Sequence, residues 1–255
     1  NKKISIACTD PTQQCFDPLK AASWHMQNGN IDEAFWLTFL SIHFGKNKSS
    51  QWNLLRNVYG GLLSKNIWTW TKVALNPQKF RSWLDYNQST LKTKGNFGNH
   101  RKYESLNALK HNGTGAAVES YVNWVGKGNS HQKLIQLINP PNNKDPKILF
   151  KHLYTSMNQV ARFGRTARFD YLTMIGKLGL APVEPDLTYM SGATGPVTGA
   201  NLLFGGCKIT FPIKQLDNLL ILLESHLGLY FGMQVLEDAL CNWQKSPSKY
   251  IHFVG

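Results

Sequence analysis

The chain has 255 residues, 42% hydrophobic and 12% aromatic, long enough to bury a core and too apolar for a disordered segment. Its 28 Lys and Arg outnumber 15 Asp and Glu, and the resulting +13 excludes an acidic chain and favours polyanionic partners. No apolar run is long enough to span a bilayer, so no membrane partner is expected, and four cysteines and eight histidines form no CxxC or HExxH. No cofactor is therefore expected, no ligand spacing calls for a divalent metal, and reduced thiols in a cytoplasm are the default.

Residues 1–29 read as an irregular N-terminal segment, with Pro11 and Pro18 and no hydrophobic period. Asn30-x-x-Glu33 has the form of a capping box. Behind it, Ile31 to Phe44 is apolar almost all round, which predicts a buried central helix with His43 as a core residue holding one hydrogen bond. Further helices are expected from Trp52 to Leu63, ending or kinking at Gly60-Gly61, through Trp68 and Trp70, and from Gln78 to Asp85 behind Pro77. Residues 87–113 are basic and glycine-bearing and read as a long surface loop, with a short helix around Tyr103 to Leu109. His100, Arg101, Lys102 and Tyr103 on that loop place cations beside an aromatic ring, which suits a nucleic-acid backbone and an unstacked base.

Helices follow from Thr114 to Val125 and from His131 to Ile138, and Asp145 caps a longer one with Pro146 in its first turn. Along it, Lys147, Lys151, Thr155, Asn158 and Arg162 fall at spacings of 4, 4, 3 and 4, a polar stripe leading to Arg165 and Arg168. Phe169 to Leu178 is a short apolar helix stopped at Gly179. A glycine-rich turn, Ser191 to Ala200, carries Gly192, Gly195 and Gly199, whose backbone N–H groups could approach an anion. Residues 212–227 and 230–245 form the last helices, with Gln234, Glu237 or Asp238, Cys241 and Lys245 as a polar stripe opposite Phe231, Val235, Leu236, Ala239 and Trp243. Only Lys208 to Phe211 could be a strand. The chain thus reads as all-α, about ten helices, with residues 30–255 a single helical catalytic domain and no internal repeat.

The charge is uneven. Residues 65–110 carry nine basic residues and two acids, a net of +7, and residues 127–168 carry eight and one, again +7. Everything else sums to −1, so the excess is confined to two stretches, as expected of a surface that meets nucleic acid. No GxSxG or Walker loop is present. Arg162, Arg165 and Arg168 with Asp170, and Glu237 with Lys245, could instead hold a phosphorylated group and accept a proton from an amine or water. A helix-start carboxylate or a salt bridge to Arg168 for Asp170, and a plain surface face for Glu237 and Lys245, are the structural alternatives.

Gly192-x-x-Gly195-x-x-x-Gly199-Ala200 loosely resembles the helix-hairpin-helix of DNA glycosylases, with Asp217 roughly where their catalytic aspartate falls. Pro196 removes one of the hairpin's donors, and the usual glycine spacing is not kept. A broader resemblance rests on four segments: His100-Arg101-Lys102-Tyr103-Glu104-Ser105-Leu106, Phe163-Gly164-Arg165 with Phe169-Asp170-Tyr171, Ser191-Gly192 with Gly199-Ala200, and Glu237-Asp238-Ala239-Leu240-Cys241 with Lys245. Together they resemble the α-glutamyl/putrescinyl-thymine pyrophosphorylases, amino acid:DNA transferases of bacteriophages with hypermodified thymine, over roughly residues 30 to 246.

That resemblance implies an all-α, DNA-glycosylase-like fold acting in the cytoplasm of a phage-infected bacterium. It implies double-stranded DNA carrying a pyrophosphorylated 5-hydroxymethyluracil, and an amino acid or polyamine that displaces the pyrophosphate. The residues fit such chemistry: Arg165 and Arg168 for the leaving group, Glu237 for the amine proton with Asp170 and Asp238 next in line, and Tyr103 and Tyr171 to stack on a flipped base. Lys151 and Arg162 are candidates for phosphate contact. A glycosylase-like base hydrolase and a non-enzymatic DNA-binding protein remain the alternatives.

Overall fold

A computed structural model describes residues 5–64, 66–206 and 208–251, and every regular element among them is helical. The all-α expectation therefore holds, and Lys208 to Phe211 form no strand outside the undescribed Cys207. By contacts the chain divides into two compact units, one of residues 1–143 and 152–182, the other of residues 144–151 and 183–255.

The first unit is built on α2 (Ile31–Phe44), in which ten of fourteen residues are buried. An all-round apolar helix has no face to give to water, so neighbours must cover it on every side. α1 (Pro18–Gln27), α3 (Asn53–Tyr59), α4 (Trp70–Leu75), α7 (His131–Ile138) and α9 (Arg165–Lys177) all pack on it. α5 (Pro77–Lys92) packs on α3, α4 and α6 (Thr114–Val125). The core between them is aromatic: Phe39 stacks on Tyr121 at 3.9 Å and on Phe163 at 4.7 Å, and Phe44 stacks on Phe97 at 5.2 Å. Each such ring taken out of water contributes about 1.5–3 kcal/mol.

Local signals set many of the ends. Asn76 accepts from the Lys79 N–H at 2.9 Å with Pro77 behind it, and Gly179 leaves α9 at φ 72°. Other expectations need correction. A helix, α1, begins at Pro18 inside the stretch read as irregular, because Asp17 Oδ1 accepts from the Leu19 and Lys20 N–H groups. Asn30 makes no side-chain cap, and Glu33 turns instead to the Tyr59 hydroxyl and the Trp70 N–H, each at 2.7 Å. α5 runs on to Lys92, which shortens the basic loop. No helix forms between Tyr103 and Leu109, where Asn107 Oδ1 captures the Leu109 and Lys110 N–H groups at 2.9 and 2.6 Å, the local competition that asparagine offers a helix.

α8 (Pro146–Ser156) starts in the second unit, where Asp145 caps it through the Lys147 N–H at 2.8 Å. That unit also holds α10 (Gly195–Gly205), α11 (Ile213–Leu227) and α12 (Gly232–Trp243) around Met190, Ala200, Leu216, Leu220, Leu236 and Leu240. Lys147 Nζ meets Glu224 Oε2 at 2.7 Å. The face expected on α12 is rotated: Glu237 lies on the buried side with Met233, Leu236 and Leu240, while Val235 and Ala239 are exposed. Among the described residues no single helix is long and apolar enough to cross a membrane; α11 and α12 reach that length only as a pair bent by 114°.

Candidate functional site

The loop after α5 is seated on the end of α2 by two glycines. Gly98 N–H donates to Phe44 O at 2.8 Å, and a Cβ on Gly98 would stand 2.8 Å from the Gly45 carbonyl carbon. No side chain fits in that approach, so the next turn, Asn99–Arg101, is laid directly against α2. Arg101 is thereby turned inward. Its Nε donates to Ile42 O at 2.9 Å and its Nη2 stands 3.4 Å from Asp170 Oδ2 on α9.

The resulting cavity, of about 210 Å³, is lined by Lys46, His100, Arg101 and Asp170 together with Ser41 and Trp52. A lysine, an arginine, a histidine and a carboxylate thus share one small volume. Burial pulls the Arg101 guanidinium below its ordinary range, and Asp170 and Glu104 oppose that pull. Behind it, burial and then the charges of Arg101 and Arg162 hold His43 down at about 3, so it is neutral at any working pH. His43 Nε2 donates to Thr114 Oγ1 at 2.9 Å, whose own proton goes to Ser105 O at 2.7 Å, the single-bonded core histidine expected.

Three arginines expected to act together are used differently. The polar stripe does not reach Arg162, because α8 stops at Ser156, a turn at Met157–Gln159 follows, and Arg162 itself sits at φ 65°. Its guanidinium forks onto Glu104, Nε to Oε2 at 2.7 Å and Nη2 to Oε1 at 3.1 Å, and so ties down the basic loop. Arg168 lies 4.3 Å over the Tyr154 ring, donates to Tyr154 O at 3.2 Å and bonds the Asn158 side chain. It braces the end of α8 rather than pairing with Asp170. Arg165 stands in the first turn of α9 and reaches Thr166 Oγ1 at 3.4 Å.

On the loop, Lys102 is exposed and its Nζ lies 5.0 Å over the ring of Tyr103, which is 82% exposed. Tyr171, by contrast, is fully buried and its hydroxyl lies 2.7 Å from that of Tyr121, so it presents no face to a base. Lys151 is exposed on α8, and Lys245 is exposed and reaches Asn242 at 3.1 Å. Gly192 makes a turn at φ 79°. Gly195 and Gly199 lie within α10, where a Cβ would collide with Cys241 Sγ and with the Leu240 carbonyl of α12. Their lack of a side chain lets two helices touch.

Sequence reading missed a buried chain of polar groups in the first unit. Asp32 Oδ1 accepts from the His131 N–H at 2.8 Å and from its Nδ1 at 2.7 Å. With the proton on Nδ1, Nε2 accepts from the Tyr121 hydroxyl at 2.7 Å, which accepts in turn from Tyr171. Burial would raise Asp32, but the bonds from His131 hold it below its ordinary value; burial lowers His131 despite Asp32. Ninety-nine residues separate the two partners, and no motif joins them. Adjacent acids at the start of a helix in a basic chain were the one available hint.

Fold and cavity define a basic, all-helical protein that brings cations and a carboxylate to one end of a buried helix. The chain belongs to the family described as alpha-glutamyl/putrescinyl thymine pyrophosphorylase clade 3, whose model matches residues 1–255, and so to enzymes of thymine modification. No curated protein and no solved structure matches it.

Proposed function

We propose that the protein displaces pyrophosphate from 5-pyrophosphoryloxymethyluracil in double-stranded DNA with an amine, an amino acid or a polyamine, in a phage-infected bacterium. The observation that carries this reading is the cavity that groups Lys46, His100 and Arg101 with Asp170. A C–N bond forms at the methyl carbon, and the C–O bond breaks with its electron pair leaving on pyrophosphate. That leaving group gains charge in the transition state, where arginine donors placed in advance are worth most. Arg101, and Arg165 on the same helix as Asp170, fill that role. The amine must lose one proton, and Asp170 is preferred to Glu237 as acceptor because it shares the cavity with the cations. Lys102 and the exposed ring of Tyr103 contact the DNA backbone and an extruded base. No cofactor is part of this reading.

The test is mass spectrometry of nucleosides from pyrophosphorylated hydroxymethyluracil DNA incubated with the protein and a pool of amino acids and polyamines. An aminated thymine is expected, and Asp170→Asn should slow its formation by about 10²-fold or more. Abasic sites would make the protein a base hydrolase, and binding without product would make it a DNA-binding protein; either result overturns the proposal.

A further inference from the structure

Exposed apolar surface is unevenly spread in this chain. Seven of the nineteen exposed large hydrophobic side chains among the described residues fall between Lys214 and Lys245, with Leu222 and Tyr230 foremost at 58% and 78% exposed. The same stretch holds no Lys or Arg, although the chain carries +13. The whole second unit has seven Lys and seven Asp or Glu, so the entire excess charge falls in the first. We propose that the corner formed by α11 and α12 is a self-association face, on which two copies of this chain pair about a twofold axis.

The corner holds its apolar side chains outward. α11 and α12 meet at a 114° bend, through a turn from Gly228 to Phe231. Gly228 stands at φ 58° and Phe231, a non-glycine residue, at φ 54°. The Phe231 ring is fully buried, and its carbonyl accepts from the Gln234 and Val235 N–H groups at 3.0 and 3.1 Å. A Cβ on Gly232 would stand 2.6 Å from Glu224 Cγ, so α12 begins hard against α11. Leu229 and Tyr230 therefore project from an anchored turn, with little ordering entropy left to lose on binding.

Charge selects the occupant. Of the four acids in the stretch, Glu224 is buried on Lys147 at 2.7 Å and Glu237 lies on the buried side of α12. Asp217 is half-buried, and Asp238 accepts from the Gln234 side chain. The exposed residues Asn218, Ile221, Leu222 and Ser225 of α11, and Val235 and Ala239 of α12, are uncharged. DNA and an anionic membrane surface both call for cations, which this face lacks. Two copies meeting through their first units would set +13 against +13. Meeting through this corner, each finds the same apolar surface with few charges, as the core of a stable interface requires.

The face lies in the second unit and shares no residue with the cavity of Lys46, Arg101 and Asp170. Pairing is accordingly measured without DNA and does not depend on the transferase reading.

The experiment is sedimentation velocity of the nuclease-treated full chain over about a hundredfold range of concentration, at low and at high salt. A monomer–dimer equilibrium is expected. It should be no weaker at high salt, because the buried face is uncharged and repulsion between the copies is screened. Leu222→Glu and Tyr230→Glu should each weaken the dimer by about tenfold or more, since a twofold axis buries the new charge twice. Both positions are exposed, so melting temperatures should match the parent. Tyr86→Glu, also exposed but in the first unit, should leave the dimer unchanged. A monomer at every concentration, including one taken up instead by neutral phosphatidylcholine vesicles, would overturn the proposal. So would association past the dimer, loss of the dimer in high salt, or a parental dimer in both variants.

Discussion

Gly199→Ala distinguishes a glycine that cradles a phosphate from one that lets helices touch. A Cβ at this position would overlap the Leu240 carbonyl oxygen and stand 2.8 Å from its carbon and 3.0 Å from its Cα. All three are backbone atoms of α12, so no rotamer change can make room. Ordinary contact needs about 3.4–4 Å, and α10 and α12 must part by about 1 Å over the cluster of Met190, Ala200, Leu216, Leu220, Leu236 and Leu240. Overpacking of this kind costs about 1–3 kcal/mol, and the upper end applies where backbone meets backbone. Alanine's better helix propensity returns about 1 kcal/mol, leaving a net loss of about 2. For a chain of this size that lowers Tm by about 4–8 °C. Calorimetric or circular-dichroism melts of the variant, beside salt titrations of DNA binding, give the answer. An unchanged Tm would refute the packing argument. Normal stability with lost DNA affinity would return Gly199 to the phosphate.

DNA affinity should fall steeply with salt, and Lys102→Ala should reduce the slope by about one unit in a fluorescence-anisotropy titration. Tyr103→Ala should weaken single-stranded or mismatched DNA by about 1–3 kcal/mol in the same assay. His43 is depressed to about 3 from an ordinary 6.5, so its stability contribution is complete above 6.5 and is lost as pH falls from there toward 3. Urea unfolding across that window should show a slope shallower by about 1.4 kcal/mol per pH unit in His43→Gln. Glu104→Gln removes the charge that holds Arg162, and limited trypsin digestion should then cut faster at Lys102.

The bounds of α2 and α7, the proline start of α5 and the stop at Gly179 were legible in the sequence, because hydrophobic period, proline and glycine act within a turn or two, although the capping box read at Asn30 does not form. Short phrases of unusual residue types also drew attention to residues 100–103 and 162–170, and of these the structure brings Arg101 and Asp170 to within 3.4 Å of each other. What those residues touch was not legible. Arg162 leaves its expected stripe because α8 ends at Ser156, and its guanidinium then goes to Glu104, 58 residues away; Tyr171 is buried in the core, where its hydroxyl meets that of Tyr121, 50 residues away. Glu237 faces inward because α12 turns its Met233, Leu236 and Leu240 edge to the core, a choice between two similarly apolar faces that only packing makes. Asp32 met His131 across 99 residues for the same reason. Backbone preferences and caps are local and survive in any short segment; side-chain partners are chosen by which helices a hydrophobic core brings together, and only the tertiary structure decided those.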